Sequence, residues 1–139
     1  MLYGEIILEK SYGMSNQKNI LIIEDDRTML DIYTRVLKKK LNVVPCNNIT
    51  EYEAALAVMD FDIFMIDLSL GSKKDGIYLI KELRKNEKYE TTPIVVVTAY
   101  ALHSDETAAI EAGATKFLRK PIENNSLLIA IMELLSKEF

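Results

Sequence analysis

The sequence is poor in cysteine: Cys46 is the one thiol among 139 residues, so no intrachain disulfide can form. This usage fits a reducing cytoplasm, and Cys46 itself is expected to be a small core residue. A chain of this length buries about two-thirds of its unfolded surface and needs neither a disulfide nor a structural metal to fold. With 49% hydrophobic and 27% charged residues, the composition indicates one globular domain.

Long hydrophobic runs are also missing. The longest uncharged and largely apolar stretch, Thr91–Ser104, is shorter than the roughly 20 residues that a membrane-spanning helix needs. A secretory signal is absent as well, because Glu5, Glu9 and Lys10 interrupt the N-terminal apolar patch. We therefore expect a cytoplasmic protein without membrane contact.

An excess of basic charge is missing too. The 17 basic residues stand against 21 acidic ones, which gives a net charge of −4. A negative net charge argues against a protein that binds nucleic-acid phosphates through an overall positive charge. The basic run Arg35–Lys40 is interpreted as the solvated end of a helix. His103 is the one histidine. It lies in a loop before a helix and outside any four-helix pattern, which argues against a phosphocarrier role.

The first eighteen residues differ from the rest and are expected to form an N-terminal extension, with the domain over residues 19–139. Met14 could be the natural start, and residues 1–13 would then be an upstream or artificial addition that stays disordered. The alternative is an extra strand or helix that packs on the domain. The residues favour neither alternative.

From Asn19 onward, short apolar runs alternate with amphipathic segments five times. Alternation of this kind predicts an α/β fold, with a parallel sheet covered by helices on both faces. The predicted strands are Ile20–Ile23, Asn42–Cys46, Asp62–Asp67, Pro93–Thr98 and Thr115–Arg119.

Several residues predict where elements begin and end. Thr50, with Glu53 three residues later, forms a capping-box pattern that opens the second helix. Ser104 is expected to cap the fourth helix and Gly113 to end it in a left-handed conformation. Pro45 cannot donate a ladder hydrogen bond, so the second strand should lie at a sheet edge.

The strand ends carry the chemistry, because active groups in such sheets gather beyond the carboxyl ends of the strands. If the strand order is 2-1-3-4-5, carboxylates from the first and third strands converge beside a hydroxyl and an ammonium. Close like charges need a neutralising cation, and Mg²⁺ prefers oxygen ligands of this kind. A carboxylate beside Mg²⁺ can also attack phosphorus and form an acyl phosphate. The groups in question are Glu24, Asp25, Asp26, Asp67, Thr98, Ala99, Lys120 and Pro121.

These motifs resemble the receiver domain of response regulators in two-component signalling, over about residues 18–137. The resemblance implies a flavodoxin-like fold: a five-stranded parallel sheet of order 2-1-3-4-5 with helices on both faces. The matching segments are Ile20–Asp26, Phe64–Leu68, Asp75-Gly76, Val97–Ala99, Gly113-Ala114 and Lys120-Pro121.

The resemblance also implies a role for each residue at the site. Asp67 would accept a phosphoryl group from a phosphohistidine. Asp25 would bind Mg²⁺ directly and Glu24 through a water, while Ser69 would offer its backbone carbonyl to the metal. Asp26 stands outside this metal site, because it matches the position that caps the first helix.

A second group of residues would stabilise the phosphoryl group and relay the switch. Thr98, with Ala99 after it, would supply the hydroxyl that hydrogen-bonds the phosphoryl group. Lys120 would form the ion pair with that group, and the Lys120-Pro121 peptide would be cis. Phe117 would be the switch aromatic, which rotates between inward and exposed positions.

The loop after Asp67 departs from the family pattern. It lacks the usual proline, has Gly71 in its place, and is one residue longer. We expect a more flexible loop and altered contact with a kinase, with the chemistry unchanged. Ser69 and Tyr100 occupy the variable positions that tune acyl-phosphate hydrolysis.

The first functional hypothesis is a phosphorylation switch and not an enzyme. At most, it would phosphorylate itself from small donors and remove its own phosphoryl group. Its partners would be a sensor histidine kinase or histidine phosphotransfer protein, a downstream protein target, and a second copy of itself in a phosphorylation-dependent homodimer. One alternative is a receiver-like interaction module that is never phosphorylated, and another is a receiver cut from a hybrid kinase or larger regulator. A hydrolase with an aspartyl nucleophile is disfavoured, because position 27 is arginine where that class has a second aspartate.

Overall fold

The computed structural model describes residues 17–71, 73–99 and 102–137. Five strands alternate there with five helices, and a short 3-10 turn, Glu87–Tyr89, precedes the fourth strand. Tyr100 and residues 1–16 lie outside the described residues, so the expectations for them stay predictions. The elements are β1 Asn19–Ile23, α1 Arg27–Leu37, β2 Asn42–Cys46, α2 Ile49–Val58, β3 Ile63–Ile66, α3 Lys73–Lys85, β4 Ile94–Thr98, α4 His103–Ala112, β5 Lys116–Arg119 and α5 Asn124–Ser136.

The sheet is parallel and its strand order is β2-β1-β3-β4-β5, which confirms the predicted topology. β1 and β3 are direct neighbours, with Ile23 paired to Ile66 at their carboxyl ends. The residues that follow these two strands therefore begin side by side. β2 is an outer strand, as Pro45 predicts, and Pro45 is exposed on it.

The core has two layers, one on each face of the sheet. Alternate strand residues point to opposite faces, so Leu21 and Phe64 pack beneath α2, α3 and α4. Ile22 and Met65 pack on the other face, beneath α1 and α5. All residues of β3 and β4 are buried, which explains why their sequences are continuous apolar runs.

Two predicted helix starts are wrong. Asn48 caps α2, because its Oδ1 accepts the Glu51 N–H at 2.9 Å, and Thr50 lies inside the first turn. The Glu51 carboxylate accepts the N–H of Asn47 at 2.6 Å. The Glu51 side chain thus binds the residue before the cap, and the cap lies two residues earlier than the Thr50 pattern predicts.

α4 begins at His103, so Ser104 lies within its first turn and does not cap the helix. The Asp105 carboxylate instead accepts the N–H of Leu102 at 3.2 Å. Gly113 ends α4 with a φ of 123°, as predicted. Asp26 caps α1, also as predicted, by accepting the Met29 N–H at 3.1 Å.

Candidate functional site

Three charged side chains meet at the carboxyl edge of the sheet. Glu24 follows β1 and Asp67 follows β3; both are buried, with 2% and 3% of their surface exposed. Lys120 follows β5 and reaches both, with its Nζ 2.7 Å from Glu24 Oε1 and 3.1 Å from Asp67 Oδ2. Its backbone N–H donates to the Thr98 carbonyl at 2.9 Å, which ties the lysine to the end of β4.

Asp25 adds a third carboxylate on the exposed side of this group. Glu24, Asp25 and Asp67 each offer one oxygen, and the three oxygens lie within 4.8 Å of one another. Three carboxylates and one ammonium leave an excess of negative charge if all are ionised. Hard oxygen ligands with excess negative charge suit Mg²⁺, so the residues present fit that cation.

The two buried carboxyls differ in their affinity for protons. Burial raises the pKa of Glu24 to about 7, with help from the nearby Asp67 charge, although Lys120 opposes the shift. Burial also acts against ionisation of Asp67, but the Ser69 N–H and Lys120 outweigh it and lower the pKa of that carboxyl. The two carboxylates in turn raise the pKa of Lys120 despite its burial. Of these two carboxyls, Asp67 is therefore the one that stays ionised more readily.

Ser69 holds the Asp67 carboxylate in a way that the sequence analysis missed. Its backbone N–H and its hydroxyl donate to Asp67 Oδ1, at 3.1 and 3.2 Å. An aspartate that accepts the N–H two residues on is a common turn arrangement, so the signal was available in the sequence. The other carboxylate oxygen, Oδ2, faces Lys120.

Asn47 was missed as well. Its side-chain amide donates to the backbone carbonyls of Glu24 at 3.2 Å and Asp25 at 2.9 Å. The Glu24 carboxylate accepts the Asp26 N–H at 3.1 Å and so fixes the same acidic turn from within. Asn47 directly follows β2 at the same edge of the sheet, and this placement is the signal that could have found it.

Gly76 brings α3 close to the residues that follow β3. A Cβ at this position would lie 2.5 Å from Leu68 Cα and 2.6 Å from the Asp67 carbonyl oxygen, so only glycine fits. The resemblance singled out Asp75-Gly76 as a motif, and this close approach is its physical reason. In the loop between β3 and α3, Gly71 has a φ of 97°, which also favours glycine.

The remaining predicted site residues lie at or near the same edge. Thr98 is fully buried at the end of β4, and Ala99 after it is exposed. Phe117 occupies the inward position, 9% exposed, with the Arg119 guanidinium 5.6 Å from its ring. The Lys120-Pro121 peptide is cis, as predicted.

Comparisons with known proteins agree on one family. The family model for the response regulator receiver domain matches residues 20–132. The transcriptional regulatory protein CpxR of Klebsiella pneumoniae is 32% identical over 122 residues, which cover 85% of this chain and 49% of that protein. The chain thus spans about half the length of that relative.

Solved structures show the same fold. A CheY-like receiver domain protein from Methanospirillum hungatei is 26% identical with a TM-score of 0.79, over 88% of this chain and 96% of that one. A response regulator protein from Burkholderia pseudomallei, solved with a phosphorylated aspartic acid, a calcium ion and citrate, is 26% identical. Its TM-score is 0.70, over 87% of this chain and 75% of that one.

Proposed function

The chain belongs to the response regulator receiver domain family, whose members act as signalling switches, and on that premise we propose that Asp67 is its phosphoacceptor. The donor is the phosphohistidine of a sensor kinase or of a histidine phosphotransfer protein. One observation carries the proposal: Asp67 is held ionised by Ser69 and Lys120 within a cluster of carboxylates that fits Mg²⁺.

In the proposed reaction, an Asp67 carboxylate oxygen attacks the phosphorus of the donor. The P–N bond breaks, its electron pair stays on the imidazole, and an acyl phosphate forms on Asp67. The Lys120 ammonium neutralises charge on the phosphoryl oxygens, since it already lies 3.1 Å from the acceptor carboxylate. The Thr98 hydroxyl, at the end of β4, donates a hydrogen bond to the phosphoryl group, and Ala99 is the residue that follows it at this edge of the sheet.

Mg²⁺, when bound, would supply further charge neutralisation at the phosphoryl oxygens. Glu24, Asp25, Asp67 and the backbone carbonyl of Ser69 would hold it. The structure of the B. pseudomallei protein, with its phosphorylated aspartic acid and bound calcium ion, supports this chemistry for the family.

The proposed output is a change of protein contacts. Phosphorylation draws the buried Thr98 hydroxyl towards the phosphoryl group, and Phe117 keeps its buried position. The surface formed by α4, β5 and α5 changes as a result and binds a different partner. That partner is a downstream protein or a second copy of the phosphorylated chain, in the cytoplasm. Among the described residues, no helix is long and apolar enough to span a membrane.

The test is phosphorylation of the purified chain by a small phosphodonor, read by mass spectrometry with and without Mg²⁺. We expect the wild type to gain one phosphoryl group only with Mg²⁺, and Asp67→Asn to gain none. Asp31→Asn, an exposed aspartate on α1, is the matched control and should behave like the wild type. Equal labelling of Asp67→Asn, or no labelling of the wild type with Mg²⁺, would show the proposal to be wrong.

A further inference from the structure

Asn47 connects the end of β2 to the acidic turn that follows β1. Its side-chain Nδ2 donates to the backbone carbonyl of Glu24 at 3.2 Å and to that of Asp25 at 2.9 Å. An amide nitrogen carries two N–H donors, so one side chain can serve both carbonyls. The backbone of two successive residues is therefore fixed relative to β2.

The two residues held in this way both belong to the carboxylate cluster. Oxygens of Glu24, Asp25 and Asp67 lie within 4.8 Å of one another. Asp25 is exposed, so packing restrains it less than it restrains the buried Glu24. The direction in which a side chain leaves the backbone depends on the backbone itself, and groups that fix the orientation of metal ligands change the affinity for the metal.

Asn47 has firm anchors of its own. Its backbone N–H donates to the Glu51 carboxylate in the first turn of α2 at 2.6 Å. The carbonyl of Cys46, the residue before it, accepts the Glu24 N–H at 3.1 Å. The amide group therefore reaches the acidic turn from a position that α2 and the sheet both hold.

The bonds from Asn47 fit a role in orientation better than a role in stability. The bond to Asp25 is exposed to solvent and the bond to Glu24 is partly buried. Water can replace the donor of an exposed hydrogen bond, so its net contribution to stability is small. Loss of the Asn47 amide should thus leave the fold intact and release the acidic turn.

We propose that Asn47 is a positioning residue for the divalent cation, because its amide holds the backbone of Glu24 and Asp25 so that their carboxylates face Asp67 before the cation binds. The inference rests on the proposed function. It adds to the site the end of β2, to which the proposed reaction assigns no group.

Asn42 provides a matched control at the other end of β2. Its Nδ2 donates to the Gln17 carbonyl at 3.3 Å and to Asn19 Oδ1 at 3.1 Å. Asn42 and Asn47 therefore tie the same two strands together through the same chemical group, at opposite edges of the sheet. Asn42→Ala removes comparable bonds far from the carboxylates.

The first experiment titrates Mg²⁺ into the purified chain and follows backbone amide resonances to obtain its Kd. We expect Asn47→Ala to raise the Kd about tenfold. Asn47→Leu keeps a side chain branched at Cγ but has no N–H donor, and it should raise the Kd as much. Asn42→Ala should keep the wild-type Kd. A wild-type Kd in either Asn47 variant, an equal rise in Asn42→Ala, or a wild type that binds no Mg²⁺ would overturn the inference.

The second experiment measures phosphorylation by a small phosphodonor as a function of Mg²⁺ concentration. We expect Asn47→Ala to need about tenfold more Mg²⁺ for half-maximal rate and to approach the wild-type rate at saturation. A rate that stays low at saturating Mg²⁺, or an unchanged requirement for Mg²⁺, contradicts the role given to Asn47. A wild type that binds Mg²⁺ but is not phosphorylated contradicts the proposed function instead, and the Kd values still test Asn47.

Discussion

Glu24 and Asp67 face the same ammonium, yet their surroundings shift their pKa values in opposite directions. Glu24 is buried beside another carboxyl, and its pKa rises to about 7. Asp67 receives the Ser69 N–H in addition to Lys120, and its pKa falls. Each carboxyl accepts a backbone N–H, from Asp26 at Glu24 and from Ser69 at Asp67, so the balance against burial decides the direction: burial prevails at Glu24, whereas the hydrogen bonds and Lys120 prevail at Asp67.

The positions of these groups could be predicted from the sequence, because the ends of parallel strands share one edge of the sheet. The bonds that orient them could not. Asn47 donates to backbone carbonyls of the acidic turn, and Ser69 donates its backbone N–H to Asp67. Such bonds depend on where loops pass in space, and apolar periodicity carries no information about that.

Cys46 allows a test of burial at a single residue. Burial raises the pKa of its thiol from 9.0 to about 12. The unfolded thiol therefore ionises first, so this group favours unfolding increasingly as the pH rises from about 9 towards 12. Between pH 9 and 10 we expect the free energy of unfolding to fall by about 1 kcal/mol more in the wild type than in Cys46→Ala. Urea unfolding at pH 9 and 10 measures the difference, and parallel pH profiles would contradict it.

At the scale of elements, Arg84 joins α3 to three other parts of the chain. Its Nε donates to the Gly113 carbonyl at 2.9 Å, at the end of α4. Nη1 donates to the carbonyls of Tyr89 at 2.8 Å and Thr92 at 2.6 Å, before β4, and Nη2 to the Thr115 hydroxyl at 3.3 Å, before β5. One guanidinium thus satisfies backbone groups at the amino edge of the sheet, opposite the edge where Glu24, Asp67 and Lys120 meet.

Loss of this guanidinium should be costly. Arg84→Ala leaves three carbonyls without their charged donor, so we expect it to lower the free energy of unfolding by about 2–4 kcal/mol. Lys85→Ala is the matched control: Lys85 is the next residue of α3, exposed, with one surface ion pair to Glu82. The control should cost less than about 0.5 kcal/mol. Chemical unfolding of both variants decides, and equal losses would contradict the role given to Arg84.

The elements differ in how well their limits could be predicted. Strands such as β4, with the continuous apolar run Ile94–Val97, were easy to find in the sequence, and the predicted strand order is confirmed. Two helix starts were wrong, because several neighbouring residues can cap and the choice depends on local backbone geometry. At α2, both Asn48 and Thr50 have side chains that can cap a helix. Asn48 is the cap, and Glu51 hydrogen-bonds with both Asn48 and Asn47 at this helix start.

At the scale of the whole molecule, the carboxylate cluster couples stability to the cation. A ligand that binds the folded state alone stabilises it by about 2.7 kcal/mol at a hundredfold excess over its Kd. We therefore expect Mg²⁺ to raise the Tm of the wild type in a concentration-dependent manner. Asp25→Asn should respond far less, and without Mg²⁺ it should be at least as stable as the wild type, since one of three crowded negative charges is gone.

Thermal unfolding with Mg²⁺ and with a chelator measures this effect. Asp31→Asn again serves as the control, because it removes a negative charge outside the cluster. It should keep the full response to Mg²⁺. An unchanged Tm in the wild type, or an undiminished response in Asp25→Asn, would show that the cluster does not hold the cation.

The outer strands of the sheet also affect the tendency of folding chains to aggregate through their sheet edges. β1, β3 and β4 are rich in isoleucine and valine, the composition that favours fibril formation when exposed. All three are inner strands. On one outer strand Pro45 interrupts the row of donors, and on the other Lys116 and Arg119 place charges. The strand order that puts β3 and Asp67 at the centre of the sheet thus leaves two outer strands that are poorly suited to pair with another chain and start an aggregate.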